Sequence, residues 1–315
     1  MSNPASASKA LDTSNDGFIV VAALWLLVGL AALASVASLY IAQSAVALSA
    51  LDAATQWEML STAGVELTAY QLSAPATVRR PTHGAFGFRL ANSSVRVEYM
   101  SEAARVNLNM APRAMIAGLF TALGVPAEAA TQYTDRVIAW RSAPRSDNQD
   151  GEQGLYRAAG LDYLPRRGPF NSVDELWLVL GLPPALVVRA TPFVTVYSGM
   201  AEINVLDAAP EVIAALPGMS PAKLDAFLNR REELPPDNPE FVLGALGGKQ
   251  PGATISGSEA YRVRMRITLP DGRQRTPEAV ILIRGPDEKE AFRVLAWKDE
   301  IDPDRGGRPR PMESQ

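Results

Sequence analysis

The segment from Ser146 to Glu152 holds the side chains best suited to chemistry, because it gathers oxygen donors in a short polar stretch. Its carboxylates belong to Asp147, Asp150 and Glu152, with amide side chains between them. Calcium takes about six to eight oxygens from carboxylates, amides and carbonyls, so this composition predicts a calcium site. The spacing is not that of an EF-hand, and the same composition is typical of a solvated acidic turn. The residues alone leave both interpretations open.

Other site chemistries find little support in the composition. The chain has no cysteine and one histidine, which excludes disulfides, thiolate ligands and multi-histidine zinc sites. His83 stands beside proline, threonine and glycine, so we predict a surface loop there. No phosphate-binding glycine loop, nucleophile elbow or paired acid and base stands out, so we expect no enzyme. The net charge of -4 disfavours an extended nucleic-acid surface, and no nucleic-acid partner is expected.

An apolar segment near the N-terminus predicts a membrane anchor. Residues 17–51 contain no charged residue and no histidine. As a helix, residues 18–42 would reach roughly 37 Å, against a hydrocarbon core of about 30 Å. The single cation of the leader, Lys9, and the length of the apolar run do not match a cleaved secretory signal. We therefore expect this helix to remain on the mature protein.

The junction between the leader and the helix is similar to the class III signal of type IV pilins and their relatives. In those proteins a prepilin peptidase cuts after a glycine, which here places the cut between Gly17 and Phe18. The fifth mature residue is usually glutamate, and Ala22 replaces it. An unpaired carboxylate is costly in hydrocarbon, so a subunit with no neighbour above it has reason to lack one. This substitution favours a subunit at a filament tip.

Periodicity beyond the anchor predicts an α+β head. Helical character continues from Ser44 to Leu72, and alternation at residues 95–100 and 261–268 predicts two strands. Residues 279–283 and 292–297 add two more strands, giving a four-stranded antiparallel sheet packed on the long helix. This is a pilin-like arrangement. The tail from Asp299 onward has too little apolar surface to pack, so we expect it to be disordered.

A helical insertion interrupts this sheet, and it contains an internal repeat. The segment beginning at Asn107 aligns without gaps on the segment beginning at Asn204, and each copy predicts an extended entry followed by a helix. Asp207 is placed to cap the second helix. Beyond that helix, Pro217 and Gly218 form a turn into another helix, which predicts a helix-hairpin-helix-like unit. Nearby acidic residues balance its cations, which favours a structural role over DNA binding.

Several motifs in order together resemble protein K of the bacterial type II secretion system. They comprise the leader, the anchor with Ala22, Asn107–Asn109, Pro169–Leu176, Thr195–Gly199 and Pro210–Met219. The resemblance implies a minor pseudopilin with five parts. These are a leader (1–17), a transmembrane helix (18–42), a pilin-like α/β domain (43–101 and 258–298), an inserted all-α domain (102–257) and a disordered tail (299–315).

The resemblance also implies a role and partners. Such a subunit caps the tip of a periplasmic pseudopilus with minor pseudopilins I and J, and contacts the prepilin peptidase, the major pseudopilin and the inner-membrane assembly platform. The head would lie in the periplasm, and calcium would bind near Asp147, Asp150 and Glu152. Arg141 to Pro144 stand where relatives often carry further aspartates, so the implied ligand set is smaller.

Two alternatives belong to other classes. A membrane-anchored helix-hairpin-helix DNA receptor would need a basic groove around Gly218 and would bind DNA with steep salt dependence. A minor pilin of a type IV pilus would be recovered in surface fibres rather than with secretion components.

Overall fold

The computed structural model describes residues 16–73, 80–143, 151–248, 250–285 and 288–300. The chain divides into two compact units between Met59 and Leu60. The helices are α1 (Asp16–Leu72), α2 (Arg113–Ala122), α3 (Ala127–Arg141), α4 (Gly151–Ala158), α5 (Pro184–Ala190), α6 (Pro210–Ala214), α7 (Pro221–Leu228) and α8 (Pro239–Ala245). Single 3-10 segments cover Glu102–Ala104, Val173–Leu178, Thr191–Phe193 and Arg231–Glu233.

The strands are β1 (His83–Leu90), β2 (Ser93–Ser101), β3 (Val106–Asn107), β4 (Val194–Thr195), β5 (Ile203–Asn204), β6 (Ala253–Thr254), β7 (Ala260–Thr268), β8 (Gln274–Ile283) and β9 (Phe292–Glu300). Five of them form one antiparallel sheet in the order β1-β2-β7-β8-β9. The short strands form two parallel pairs, β3 with β4 and β5 with β6. The predicted α+β class is therefore confirmed.

The first unit contains the predicted anchor. A window of 25 residues, Val20–Ser44, is long and apolar enough to cross a membrane, with a mean hydropathy of 2.5. It closely overlaps the predicted span, residues 18–42. None of this window is buried by other parts of the described chain. An apolar helix with no protein to cover it is what a lipid-facing segment requires.

The sheet has one more strand than the four predicted from periodicity. The additional strand, β1, includes Gly84 and Gly87 and has little of the β-branched content typical of strands, so its sequence predicts a loop. Pairing with β2 imposes the extended conformation on it. The connecting turn places Ala91 and Asn92 at φ 49° and 60°, as expected of a two-residue hairpin of type I′.

The end of α1 packs on one face of this sheet through a close approach. A Cβ added at Gly64 would lie 2.6 Å from the Met265 sulfur of β7 and 3.5 Å from a Val97 methyl of β2. Buried residues of this face alternate with exposed ones along β2 and β7, as predicted. At the other end of the sheet, β9 reaches Glu300, so its backbone includes the first two residues of the predicted tail. Residues 301–315 lie outside the described residues.

The helical part of the chain lies between two neighbouring strands. The chain leaves the sheet after β2 and returns at β7, and β2 and β7 are hydrogen-bonded partners. Between them, buried apolar side chains from α2 to α8 form a core of their own. The exact domain boundaries given above remain a prediction.

The internal repeat has a matching local structure in both copies. Asn107 ends β3 and Asn204 ends β5, and each backbone carbonyl accepts a hydrogen bond from the alanine four residues later. Those alanines, Ala111 and Ala208, also occupy equivalent positions. The Ala111 carbonyl accepts from Arg141 at 2.7 Å, and the Ala208 carbonyl accepts from Arg231 at 2.8 Å. Each copy therefore satisfies a backbone oxygen before its helix with an arginine from later in the chain.

The helices of the two copies, α2 and α6, contact each other at equivalent positions. Gly118 of α2 aligns with Ala215, which follows α6 directly. A Cβ added at Gly118 would lie 2.4 Å from the Ala215 carbonyl oxygen, well inside normal contact distance. The repeat thus forms a pseudo-symmetric pair whose closest contact requires glycine on one side.

Replacing Gly118 with alanine should destabilise the chain by about 2 kcal/mol, because the new methyl group forces α2 away from α6. The measurement is the urea midpoint of the full chain in a neutral detergent, followed by tryptophan fluorescence. Gly154 of α4 is the matched control, since its added Cβ would meet nothing within 4 Å and alanine favours a helix. Equal midpoints for G118A and G154A would show that the close approach carries no stability.

Candidate functional site

The predicted processing site lies in the first turn of α1. Gly17 and Phe18 follow Asp16, the first residue of that helix, and Phe18 is 76% exposed. Ala22 lies one turn further along the same helix and is partly exposed. Cleavage after Gly17 and the functional meaning of Ala22 remain predictions.

The structure covers one of the three predicted metal ligands. Asp147 and Asp150 lie outside the described residues, whereas Glu152 is the second residue of α4. One carboxylate oxygen of Glu152 accepts from Arg136 of α3 at 2.8 Å. The other oxygen, Oε1, is buried and has no hydrogen-bond partner. Within the described ranges no group of three or more potential ligands forms a metal site.

An open cavity of about 440 Å³ adjoins Glu152. Its lining includes Asp135 and Arg136 of α3, and Leu180 and Gly181 from the segment before α5. Asp135 is already engaged by a bidentate pair with Arg113, at 2.7 and 2.8 Å. An orphaned carboxylate oxygen with space beside it is compatible with a hard cation as a ligand.

Two further acidic residues, Asp174 and Glu175, make structural contacts. The Ser172 hydroxyl accepts from the Asp174 amide at 3.1 Å and caps the Val173–Leu178 segment. The Glu175 carboxylate accepts from the Asn171 amide and from the Trp140 indole, both at 3.0 Å. These contacts use the carboxylate to hold the fold together.

His83 and Asp207 correct two predictions from the sequence. His83 is the first residue of β1 rather than a loop residue, although its ring is 65% exposed. Its Nδ1 lies 2.7 Å from a carboxylate oxygen of Asp207. The other Asp207 oxygen accepts from Asn204, so Asp207 does not cap α6, whose N-cap is Ala209 without a side-chain bond. The Asp207 carboxylate, predicted to cap α6, instead contacts His83 of the sheet.

The sequence did not reveal the main ionic centre of the head, which is built around Glu102. This residue follows β2 directly, and its carboxylate is completely buried. Arg262 of β7 approaches it with two nitrogens, at 2.8 and 3.2 Å, and Arg105 approaches at 3.1 Å. The Thr195 hydroxyl of β4 also donates to it. A buried carboxylate is tolerated only with such partners.

The same centre extends into the sheet through Glu278 of β8. Its two oxygens accept from Arg262 at 2.7 Å and from Arg264 at 3.0 Å. Burial alone would raise the pKa of Glu278, but the charges and hydrogen bonds of Arg262 and Arg264 lower it below its ordinary value. Burial alone would lower the pKa of Arg262, and Glu102 and Glu278 together raise it. Glu278 and Arg262 therefore stay ionised at neutral pH.

Further polar contacts tie the helical part to the sheet near this centre. The Ser258 amide donates to the Ser101 hydroxyl at 2.8 Å, where the chain leaves and re-enters the sheet. Arg105 also donates to the Pro192 carbonyl at 3.1 Å. Because Glu102, Thr195 and Arg262 come from separate elements, their contacts fix how the two parts of the second unit meet.

These features define a pilin-like subunit, with an apolar N-terminal helix, an antiparallel sheet and a helical part inserted between paired strands. Residues 92–199 match the family model described as Type II secretion system (T2SS), protein K. This match confirms the resemblance predicted from the sequence.

Two known proteins are similar to this chain, one in sequence and one in fold. The type II secretion system protein K of Pseudomonas aeruginosa is 30% identical over 201 residues, covering 61% of this chain and 57% of the relative. The match therefore spans less than two thirds of the relative's length. A chain in the crystal structure of the GspK-GspI-GspJ complex from enterotoxigenic Escherichia coli has a similar fold, with a TM-score of 0.55. It is 19% identical, and the match covers 78% of this chain and 95% of that one.

Replacing Glu102 with glutamine should destabilise the chain by about 3 kcal/mol, because it leaves the Arg105 and Arg262 charges buried without their main partner. The readout is again the urea midpoint of the full chain in neutral detergent. Glu98 of β2 is the matched control, because its side chain is 62% exposed and its pair with Arg96 is long, at 3.6 Å. E98Q should change stability by no more than about 0.5 kcal/mol. Similar losses in both variants would contradict a special role for Glu102.

Proposed function

We propose that the chain is a minor pseudopilin of the type II secretion system that forms or caps the tip of the periplasmic pseudopilus. The observation that carries this proposal is the protein K domain at residues 92–199, set in a fold like that of a chain from the GspK-GspI-GspJ complex. Its partners would be minor pseudopilins I and J. The major pseudopilin, the assembly platform and the prepilin peptidase would contact it during assembly. The role is structural rather than catalytic.

The proposed mechanism rests on bulk and on membrane energetics. The helical part between β2 and β7 adds bulk to the head and would obstruct a subunit stacking on it. The exposed apolar window Val20–Ser44 would hold the subunit in the inner membrane before assembly, with the head in the periplasm. Ala22 places no carboxylate in the lipid, as suits a subunit with no neighbour above to neutralise it.

The two alternatives lack comparable support. For DNA binding, the turn at Gly218 would need free cations, but Arg231 donates to the Ala208 carbonyl and so serves the fold. Lys223 and Arg230 stand among acidic residues of the same segment. Nothing in the described chain favours a surface pilus over a pseudopilus.

Co-expression of the full chain with minor pseudopilins I and J of the same secretion system should yield a stable complex with one copy of each. The complex would be purified in neutral detergent, and its mass determined by native mass spectrometry. The chain co-expressed with the major pseudopilin alone serves as the control. If the complex does not form, and the chain binds DNA with an affinity that falls steeply with salt, the chain would instead be a membrane-anchored DNA receptor.

We further propose that Glu152, with Asp147 and Asp150, binds calcium in the helical part. Support comes from the oxygen donors of the sequence and from the buried, unpartnered Oε1 of Glu152. When bound, the ion would supply the positive charge that this oxygen lacks, tying the start of α4 to the preceding segment.

Calcium should raise the melting temperature of the full chain, because a ligand that binds only the folded state stabilises it by about 2.7 kcal/mol at a hundred times its dissociation constant. E152Q should lose most of this shift. E128Q, at an exposed position in the first turn of α3, should keep it. An unchanged melting temperature in millimolar calcium would refute the site.

A further inference from the structure

The sheet has a second face, opposite the one that packs on α1, and arginines dominate its open end. Arg96 of β2 and Arg266 of β7 are directly opposite each other in the register. Arg89 of β1 pairs with Ser94, which lies two residues before Arg96 on β2, so the side chains of Arg89 and Arg96 share this face. All three side chains are exposed. We call Arg89, Arg96 and Arg266 the arginine face.

The arginine face is electrostatically unfavourable for the chain alone. Like charges directly opposite on paired strands destabilise a sheet. The carboxylate nearest to Arg96 is Glu98, at 3.6 Å and with both side chains mostly exposed. Among the described residues, Arg89 and Arg266 form no ion pair. Two of the three arginines on this surface, Arg89 and Arg266, therefore carry positive charge without an ion pair to any described residue, in a chain whose net charge is -4.

Two hollows lie at the ends of this face. A cavity of about 360 Å³ lies where the helical part meets the sheet. Its lining includes three arginines and two glutamates, namely Arg105, Arg262, Arg264, Glu98 and Glu278. A second hollow of about 450 Å³ is lined by Arg89, Ser94 and Thr268, beside the β1–β2 turn. From Arg262 to Thr268 the strand covers roughly 20 Å at about 3.3 Å per residue. An extended segment of about six residues could lie along this path.

We propose that the arginine face binds an acidic, extended segment of a partner protein. Guanidinium groups match carboxylates with paired hydrogen bonds, and Ser94 and Thr268 add hydroxyl donors along the same path. The helical part flanks one end of the face, so a flat lipid surface has poor access to the recessed cavity.

Fluorescence anisotropy with a labelled hexaglutamate peptide tests this proposal on the full chain in neutral detergent. The wild-type chain should bind the peptide more weakly as salt rises, and should not bind hexaglutamine. R96Q/R266Q should weaken binding by about tenfold. R157Q/R230Q removes the same charge from exposed positions elsewhere and should change binding by less than about twofold.

The arginine variant should fold, since removing a like-charge pair should leave its melting temperature unchanged or higher. No binding of hexaglutamate, or equal losses in both double variants, would overturn the proposal. So would binding to vesicles of phosphatidylglycerol that is lost in R96Q/R266Q while hexaglutamate is ignored, which would identify a membrane surface. None of these outcomes bears on complex formation with minor pseudopilins I and J, so the two proposals fail separately.

Discussion

The second unit depends on one buried charge, the Glu102 carboxylate at the point where the chain leaves the sheet. Transferring a carboxylate from water costs several kcal/mol unless charged and hydrogen-bonded partners replace the solvent. Arg262 from β7, Arg105 and Thr195 from β4 supply those partners, and none of them can move without exposing the charge to an apolar environment. The orientation of the helical part against the sheet is thereby specified by electrostatics as well as by packing. An apolar contact of similar area would tolerate sliding, whereas a bidentate pair does not.

The features that the sequence predicted are those that follow from regular spacing. The apolar helix, four of the five sheet strands, and the two copies beginning at Asn107 and Asn204 all repeat with the period of their secondary structure. β1 was not predicted, because its extended conformation comes from pairing with β2 and not from its own glycine-containing sequence. The ionic centre around Glu102 could not be predicted from the sequence. Glu102 is one acidic residue beside two alanines, and its partner Arg262 is 160 positions away, so no local pattern joins them.

The pseudo-symmetric pair in the helical part shows how a motif associated with nucleic acid can serve another purpose. In each copy, an arginine donates to a backbone carbonyl just before the helix and so serves the fold. The close approach at Gly118 then buries the helices against each other. The hairpin geometry is retained, but these arginines bind backbone carbonyls of the same chain. The exposed arginines considered above lie instead on a different surface, the arginine face of the sheet.

The chain enters and leaves the helical part at adjacent points, where the Ser101 and Ser258 hydroxyls lie 3.1 Å apart. β2 and β7 are already partners, so a short turn across this gap would close an uninterrupted meander. An insertion whose ends meet in this way adds little loop-closure entropy to the host fold. The sheet could therefore accept or lose the helical part in one event without changing its own strand pairing.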